Sequence, residues 1–291
     1  MRQLGLGAMA ALTLLGMSAP ARAEEPPRRL VFDQRYRPFQ WTDAAQTGAT
    51  LGLYAYVEFG VPHPSSGHWQ SPILFDAAAR DAFLAQSRDG RLTAAMVSDV
   101  TWYVPMLLPW LEGIGVPLFT DRWNYRVAFQ LTALNAQAVS VVALLTRAGH
   151  KFVARARPDL EPCQQDPTYS TKCFGGTYAG FPSGHVSAAL VGAGLSCAHH
   201  SYLPLLGGGG AEAAVCVTAT VLGVTSGVAR IAADRHYMSD VIAGAVLGWG
   251  AGFAMPALLH YEWRAAAPAQ AWTVNPWVSS TGLGLGALGL W

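Results

Sequence analysis

Arg230, His236 and Asp240 sit six and four residues apart in the stretch "RIAADRHYMSD". Two other stretches carry groups of matching chemistry. "GFPSGHVSAAL" holds Ser183, Gly184 and His185, and "HKFVARARPDL" holds His150, Lys151, Arg155 and Arg157 ahead of Pro158. Arginines bind phosphate oxygens through charge-assisted, often bidentate hydrogen bonds. A helix that opens on Ser-Gly presents free backbone N–H groups to an anion. Two histidines can divide a transfer reaction, one attacking phosphorus and the other protonating the leaving oxygen. Asp240, one helical turn past His236, is placed to hold that imidazole in one tautomer and to stabilise its cation. The arginines supply the positive charge, so this chemistry calls for no metal and no cofactor. Each element also has a plainer reading. Pro-Ser-Gly-His is a good helix cap, a His-x-x-x-Asp pair is commonly structural, and an arginine such as Arg155 at a helix end often only marks an interface.

The elements that must position these groups are helices. Of the 291 residues 52% are hydrophobic and 13% charged, with a net charge of +1; an average soluble chain is about a quarter charged. That balance argues against a nucleic-acid partner. Uncharged or nearly uncharged runs at 95–117, 128–146, 186–206, 213–229 and 241–261 approach the length of a membrane span. Their Gly, Ala, Ser and Thr content suits close packing in lipid. The expected fold is an all-α bundle of five to six mostly membrane-spanning helices. In an antiparallel bundle the helix ending near His150, the one beginning at Ser183, the one ending at Arg230 and the one beginning near His236 bring all three clusters to the same end. A large soluble bundle is the alternative.

With those motifs placed, the chain resembles the type-2 phosphatidic acid phosphatase family. That family shares its helical core with class A acid phosphatases and vanadium haloperoxidases. The resemblance rests on Arg157-Pro158, on "PSGH" at 182–185 and on the Arg230, His236, Asp240 spacing, and it covers roughly residues 95–262. It implies His236 as nucleophile through a phosphohistidine, Asp240 as its orienter and His185 as general acid. Arg157, Arg230, Ser183 and Gly184 would surround the phosphate. Two positions depart from the pattern. The family lysine seven residues before Arg157 is His150 here, with Lys151 one residue late, so either could take its place. The serine before the third-motif arginine is Ala229.

Around this core, residues 1–23 read as a secretory leader ending in "ARA", the alternative being an uncleaved anchor. Residues 24–94 form an N-terminal extracytoplasmic or interfacial region. It includes an irregular polar stretch at 24–46, an apolar stretch at 48–62 that does not span, and a short amphipathic helix in "SPILFDAAARDAFLAQ". Residues 263–291 form a Gly/Leu tail, a strand or a loose end. Cys163 and Cys173 lie in the loop between the first two clusters and suit a disulfide; Cys197 and Cys216 fall inside helices as small buried side chains. The expected protein is a bacterial inner-membrane phosphatase with its site facing the periplasm, acting on a lipid-linked phosphate or diphosphate. A soluble periplasmic acid phosphatase, a vanadium-dependent haloperoxidase and a catalytically weak phosphate-binding relative are the competing readings.

Overall fold

The computed structural model describes residues 30–170, 173 and 177–263, and the backbone of 272–279 and 282–289. The expected leader lies outside the described residues. The chain folds as a helical bundle. Helix α1 (Trp41–Ala55) continues through a π-helical turn to Gly60, and α2 (Asp76–Phe83) is the short amphipathic helix. Then come α3 (Arg88–Gly115), α4 (Tyr125–Ala148) with a π-helical turn to Val153, and the short α5 (Leu160–Gln165). Helices α6 (Gly184–Tyr202), α7 (Gly210–Ala232) and α8 (Met238–Trp249, prolonged by π-helical turns to Tyr261) complete the bundle. In the tail, β1 (Trp272–Ser279) pairs antiparallel with β2 (Gly282–Gly289), Trp272 opposite Gly289.

Helix α6 is the axis, packed against α3, α4, α7 and α8. The approach is close enough that a Cβ at Gly192 would overlap the backbone of Pro105, and one at Gly248 or Gly252 would overlap Ser187 or Val191. Small residues at helix crossings allow this contact, which is how helices associate without a hydrophobic driving force. Polar groups inside the bundle pair with each other. Ser98 meets Ser226 at 3.1 Å, His199 lies between Asn135 and Tyr261 at 2.8 Å each, and His200 lies between Glu112 and Glu212.

Among the described residues three helices, Tyr125–Val153, Gly210–Ala232 and Met238–Tyr261, are long and apolar enough to cross a membrane. The two other expected spans, in α3 and α6, fall short of that: α3 carries charges but exposes an apolar face that includes Val100, Val104, Leu107 and Leu111, whereas α6 is buried on nearly every side. A helix enclosed by others does not need a lipid-facing surface. The exposed face of α7, by contrast, is a stripe of Val217, Val221, Val224 and Val228.

The 48–62 stretch belongs to a helix that starts earlier than expected. Gln40 and Asp43 form a capping box that starts α1 at Trp41, so the polar residues 41–47 are helical rather than irregular. With its π-helical turn the segment covers Trp41–Gly60, about 30 Å at the helical rise. It runs parallel to α4. Phe39 N donates to Gln130 Oε1 (2.7 Å), Gln137 Nε2 to Gln46 Oε1 (2.8 Å), Thr50 and Ser140 hydroxyls meet at 2.8 Å, and Arg147 pairs with Glu58 at 2.5 Å. This helix therefore crosses the bundle from end to end. Residues 30–40 sit at the end where Tyr36 bonds to Tyr202 and Arg37 to His260. The three polar clusters lie at the opposite end.

Candidate active site

The turn between α7 and α8 sets His236. Asp234 has a left-handed backbone (φ 58°), which reverses the chain sharply after Ala233. Its carboxylate is fully buried and accepts from Arg80 Nε (2.6 Å), Arg80 Nη2 (2.7 Å) and Tyr169 Oη (2.9 Å). His236 then projects inward with 2% exposure. Its Nδ1 lies 2.8 Å from the carbonyl oxygen of Gly180. A carbonyl only accepts, so Nδ1 carries the hydrogen and Nε2 keeps its lone pair. Burial, followed by the charges of Arg157, Arg230 and His185, holds the His236 imidazole well below its ordinary pKa. The ring is neutral at physiological pH, with a free nitrogen.

Asp240 stands 3.8 Å from His236 Nδ1, farther than the Gly180 carbonyl. Its shorter bonds go to Tyr237 N (2.8 Å) and Arg155 Nη1 (2.5 Å). Arg155 is no interface marker. It is completely buried, bonded to Asp76 at 2.7 Å and to the Ser239 hydroxyl at 2.7 Å, and its guanidinium lies 3.7 Å from the Trp69 ring centre. It ties α2, the chain after α4 and the start of α8 into one unit. The α6 corner is joined to that unit by Ser183 N donating to the Asp240 carbonyl at 3.0 Å.

Around His236 the expected phosphate-binding groups fall into two sets. Arg230 and Ser183 are buried and Arg157 is half-buried, and the buried Arg157 Nε, Arg230 Nε and Ser183 Oγ have no hydrogen-bond partner among the described residues. Burial, then Arg235 and Arg230, lowers Arg157 to about 9. Clustered guanidiniums with unpaired donors are a site that favours an anion. His150 lies beside the α6 corner, with Nε2 2.9 Å from the Pro182 carbonyl and Nδ1 unpaired. Its Cε1 comes within 3.3 Å of where a Cβ on Gly184 would stand. Lys151 turns away, its Nζ bonded to the carbonyls of Val61 (2.7 Å) and Glu58 (3.3 Å).

One residue of the cluster was not singled out from the sequence. Asp99, on α3, accepts from His185 Nε2 at 2.9 Å and lies 3.5 Å from Arg230 Nη1. The available signal was its charge in a largely apolar helix, which by itself points to function. Next to His185 a groove of about 340 Å³ runs between α1, α3, α4 and α6, walled by Tyr54, Trp102, Met106 and Val139, with His150 and Gly184 at its inner end.

The cluster and the helices that carry it coincide with a known sequence family, matched by its model over residues 128–264. The matching model is that of the PAP2 superfamily, and it covers a little under half of the chain. The match runs from α4 to the end of the bundle and includes both histidines, Asp240 and the arginines at 157 and 230, while Asp99 and the first three helices precede it. The chain is also similar to "Phosphatidylglycerophosphatase B" of Bacillus subtilis (strain 168), 27% identical over 143 residues. That match covers 49% of this chain and 62% of the relative. No solved structure matches the chain. Four cysteines stand in two pairs within the matched segment. Cys163 and Cys173 have Cα atoms 5.2 Å apart, and Cys197 and Cys216, expected as separate buried side chains, have Cα atoms 4.4 Å apart. Both separations are within the range of disulfides.

Proposed function

We propose that the protein is a phosphoric ester hydrolase acting on a lipid-linked phosphate through a phosphohistidine. The observation that carries this reading is the neutral His236, its Nδ1 bonded to Gly180 and its Nε2 without a partner among the described residues, beside buried donors left unpaired there on Arg157, Arg230 and Ser183. The Nε2 lone pair forms the bond to phosphorus as the bond to the leaving oxygen breaks. His185 gives its proton to that oxygen, with Asp99 as the counter-charge for its cationic form. The phosphorylated ring is positive. The Gly180 carbonyl accepts its Nδ1–H, and buried Asp240 at 3.8 Å offsets its charge. Water then attacks phosphorus, passes a proton to His185 and releases phosphate, restoring neutral His236. The unpaired arginine donors stabilise the equatorial oxygens where charge spreads.

The outward valine stripe on α7, the three span-length helices and the apolar groove ending at His185 support a lipid substrate. The name of the Bacillus relative agrees with it. Phosphate release from a lipid phosphate in mixed micelles is the test. His236→Ala should lose about a thousandfold or more in kcat, as removal of an essential nucleophile does, with phosphohistidine mapped to residue 236 in wild type. Covalent phosphate on His185 or His150 would overturn the mechanism. Equal kcat/KM for a lipid phosphate and a short-chain phosphate would overturn the lipid assignment.

We place the site end in the periplasm of a bacterial cell, the bundle being in the inner membrane. The Cys163–Cys173 pair at the site end suits a disulfide in an oxidising compartment.

A further inference from the structure

We propose that α2 and the residues leading into it lie on the bilayer surface at the site end, with Leu74, Phe75 and Phe83 in the boundary between headgroups and acyl chains. This placement rests on the membrane reading of the bundle. It adds a lipid contact made outside the substrate groove, by a helix that precedes the matched family segment.

The outward surface of this segment is apolar. Ile73, Leu74, Phe75 and Phe83 are exposed, Leu74 by 85%. Ala78 and Ala82 are exposed as well, and they share a helix face with Phe75 at spacings of three and seven. Asp81 is set about 100° round from Ala82. The other charged groups of α2 are engaged with the protein, Asp76 with Arg155 at 2.7 Å and Arg80 with Asp234 at 2.6 Å. Leu74 also has a left-handed backbone, φ 51°, which glycine adopts at less cost. A leucine held there with its side chain outward gains nothing from the bundle. An apolar patch of this kind marks a contact surface.

Its neighbours say which surface. Helix α2 packs against α7 and α8, and Ala85 N donates to the Ala232 carbonyl at 3.0 Å. Val228, the last residue of the outward valine stripe on α7, is four residues earlier, about 6 Å along the axis. Beyond α2 the chain enters α3, which turns Met96, Val97 and Val100 outward. The patch on α2 therefore continues two apolar helix faces, and the bilayer that covers them reaches α2. No basic side chain of α2 is left free of a carboxylate, so insertion of apolar groups, rather than attraction to anionic headgroups, holds the helix there.

The inner face of α2 then links that surface to the catalytic turn. Arg80 holds Asp234, two residues before His236, and Asp76 reaches Asp240 through Arg155. Docking of α2 sets His236 at the level of the headgroups.

The test places a nitroxide spin label on single cysteines at positions 74, 75, 83, 166 and 221, in phosphatidylcholine vesicles without reductant. Labels at 74, 75 and 83 should collide with oxygen in preference to a water-soluble nickel chelate, at a depth of about 5–10 Å. The label at 166 should show the reverse, and the depth at 74 should not change with anionic lipid or salt. Nickel contact at 75 and 83 equal to that at 166 would overturn the proposal, even if substitution at 74 disturbs the turn. Shielding from both reagents would do the same by marking a protein partner or a second copy, and insertion only with anionic lipid would overturn the apolar mode. Position 221, in the α7 stripe, reports on the bundle: nickel contact there would reject the membrane reading and α2 docking with it. None of these readings needs turnover, so a failure of the phosphatase reading is seen separately. Leu74→Glu with Phe75→Glu should lower phosphate release in vesicles about tenfold and change it less than about twofold in mixed micelles. An equal loss in both media, or none in vesicles, would overturn the link to the bilayer.

Discussion

At the scale of single residues the chemistry depends on which ring nitrogen carries a proton. His236 donates Nδ1–H to Gly180 and is kept neutral by burial and by neighbouring guanidiniums. A pKa depressed by positive charge rises when a charge is removed. Arg157→Gln should therefore move the His236 titration upward, toward its ordinary value near 6.5, as followed by NMR of its ring. A downward shift would show that Arg157 does not face His236. His150 presents the reverse case. Its Nε2 donates to Pro182, so the remaining Nδ1 can donate to a phosphate only after protonation. KM should rise as pH increases, and His150→Lys, cationic throughout, should flatten that rise. Lys151 is tied to the carbonyls of Val61 and Glu58. Lys151→Ala should leave KM within about twofold and lower stability by about 1–3 kcal/mol. A large KM increase in Lys151→Ala with none in His150→Ala would reverse the two assignments.

Among the elements, the join that matters is the buried Asp76–Arg155–Asp240 unit, where α2 braces the start of α8. All three side chains are fully buried. Removing the arginine leaves two carboxylates close together without their cation, and such a loss costs about 3–5 kcal/mol. Arg155→Met should lower thermal stability in detergent by that amount, and adding Asp76→Asn should recover part of it. Strict additivity of the two substitutions would mean that the pair is not coupled. Ser183 N bonds to the Asp240 carbonyl, so the same change should disturb the α6 corner as well as His236.

For the whole molecule the open issue is direction. Helix α1 crosses the bundle, so residues 30–40 lie at the end away from the candidate site. A leader cleaved after Ala23 would leave residue 24 outside the cytoplasm, and the chain next to it as well. That cleavage and a periplasmic site exclude each other if all of α1, α3, α4, α6, α7 and α8 cross. The proposed orientation predicts that a single cysteine introduced at 166 is labelled from outside intact cells and that cysteines at 34 and 124 are not. The reverse pattern would turn the bundle over and restore the cleaved leader.

Much of the fold and of the candidate site was legible in the sequence because it is written at short range. Apolar runs with capped ends mark helices, the six- and four-residue spacings of Arg230, His236 and Asp240 set their places around one turn, and alternation of helix direction brings the three clusters to a common end. What only the tertiary structure decided depends on partners far along the chain. Asp99 reaches His185 from 86 residues away and Arg155 reaches Asp76 from 79, and no local pattern encodes either pair. Lys151 and His150 are adjacent, yet the roughly 100° turn between successive helical residues sends one toward Val61 and the other toward Pro182. Helix α1 was hidden for a related reason. Its polar first turns are stabilised by Gln130 and Gln137 on α4, and hydropathy along the chain does not register a partner supplied by another helix.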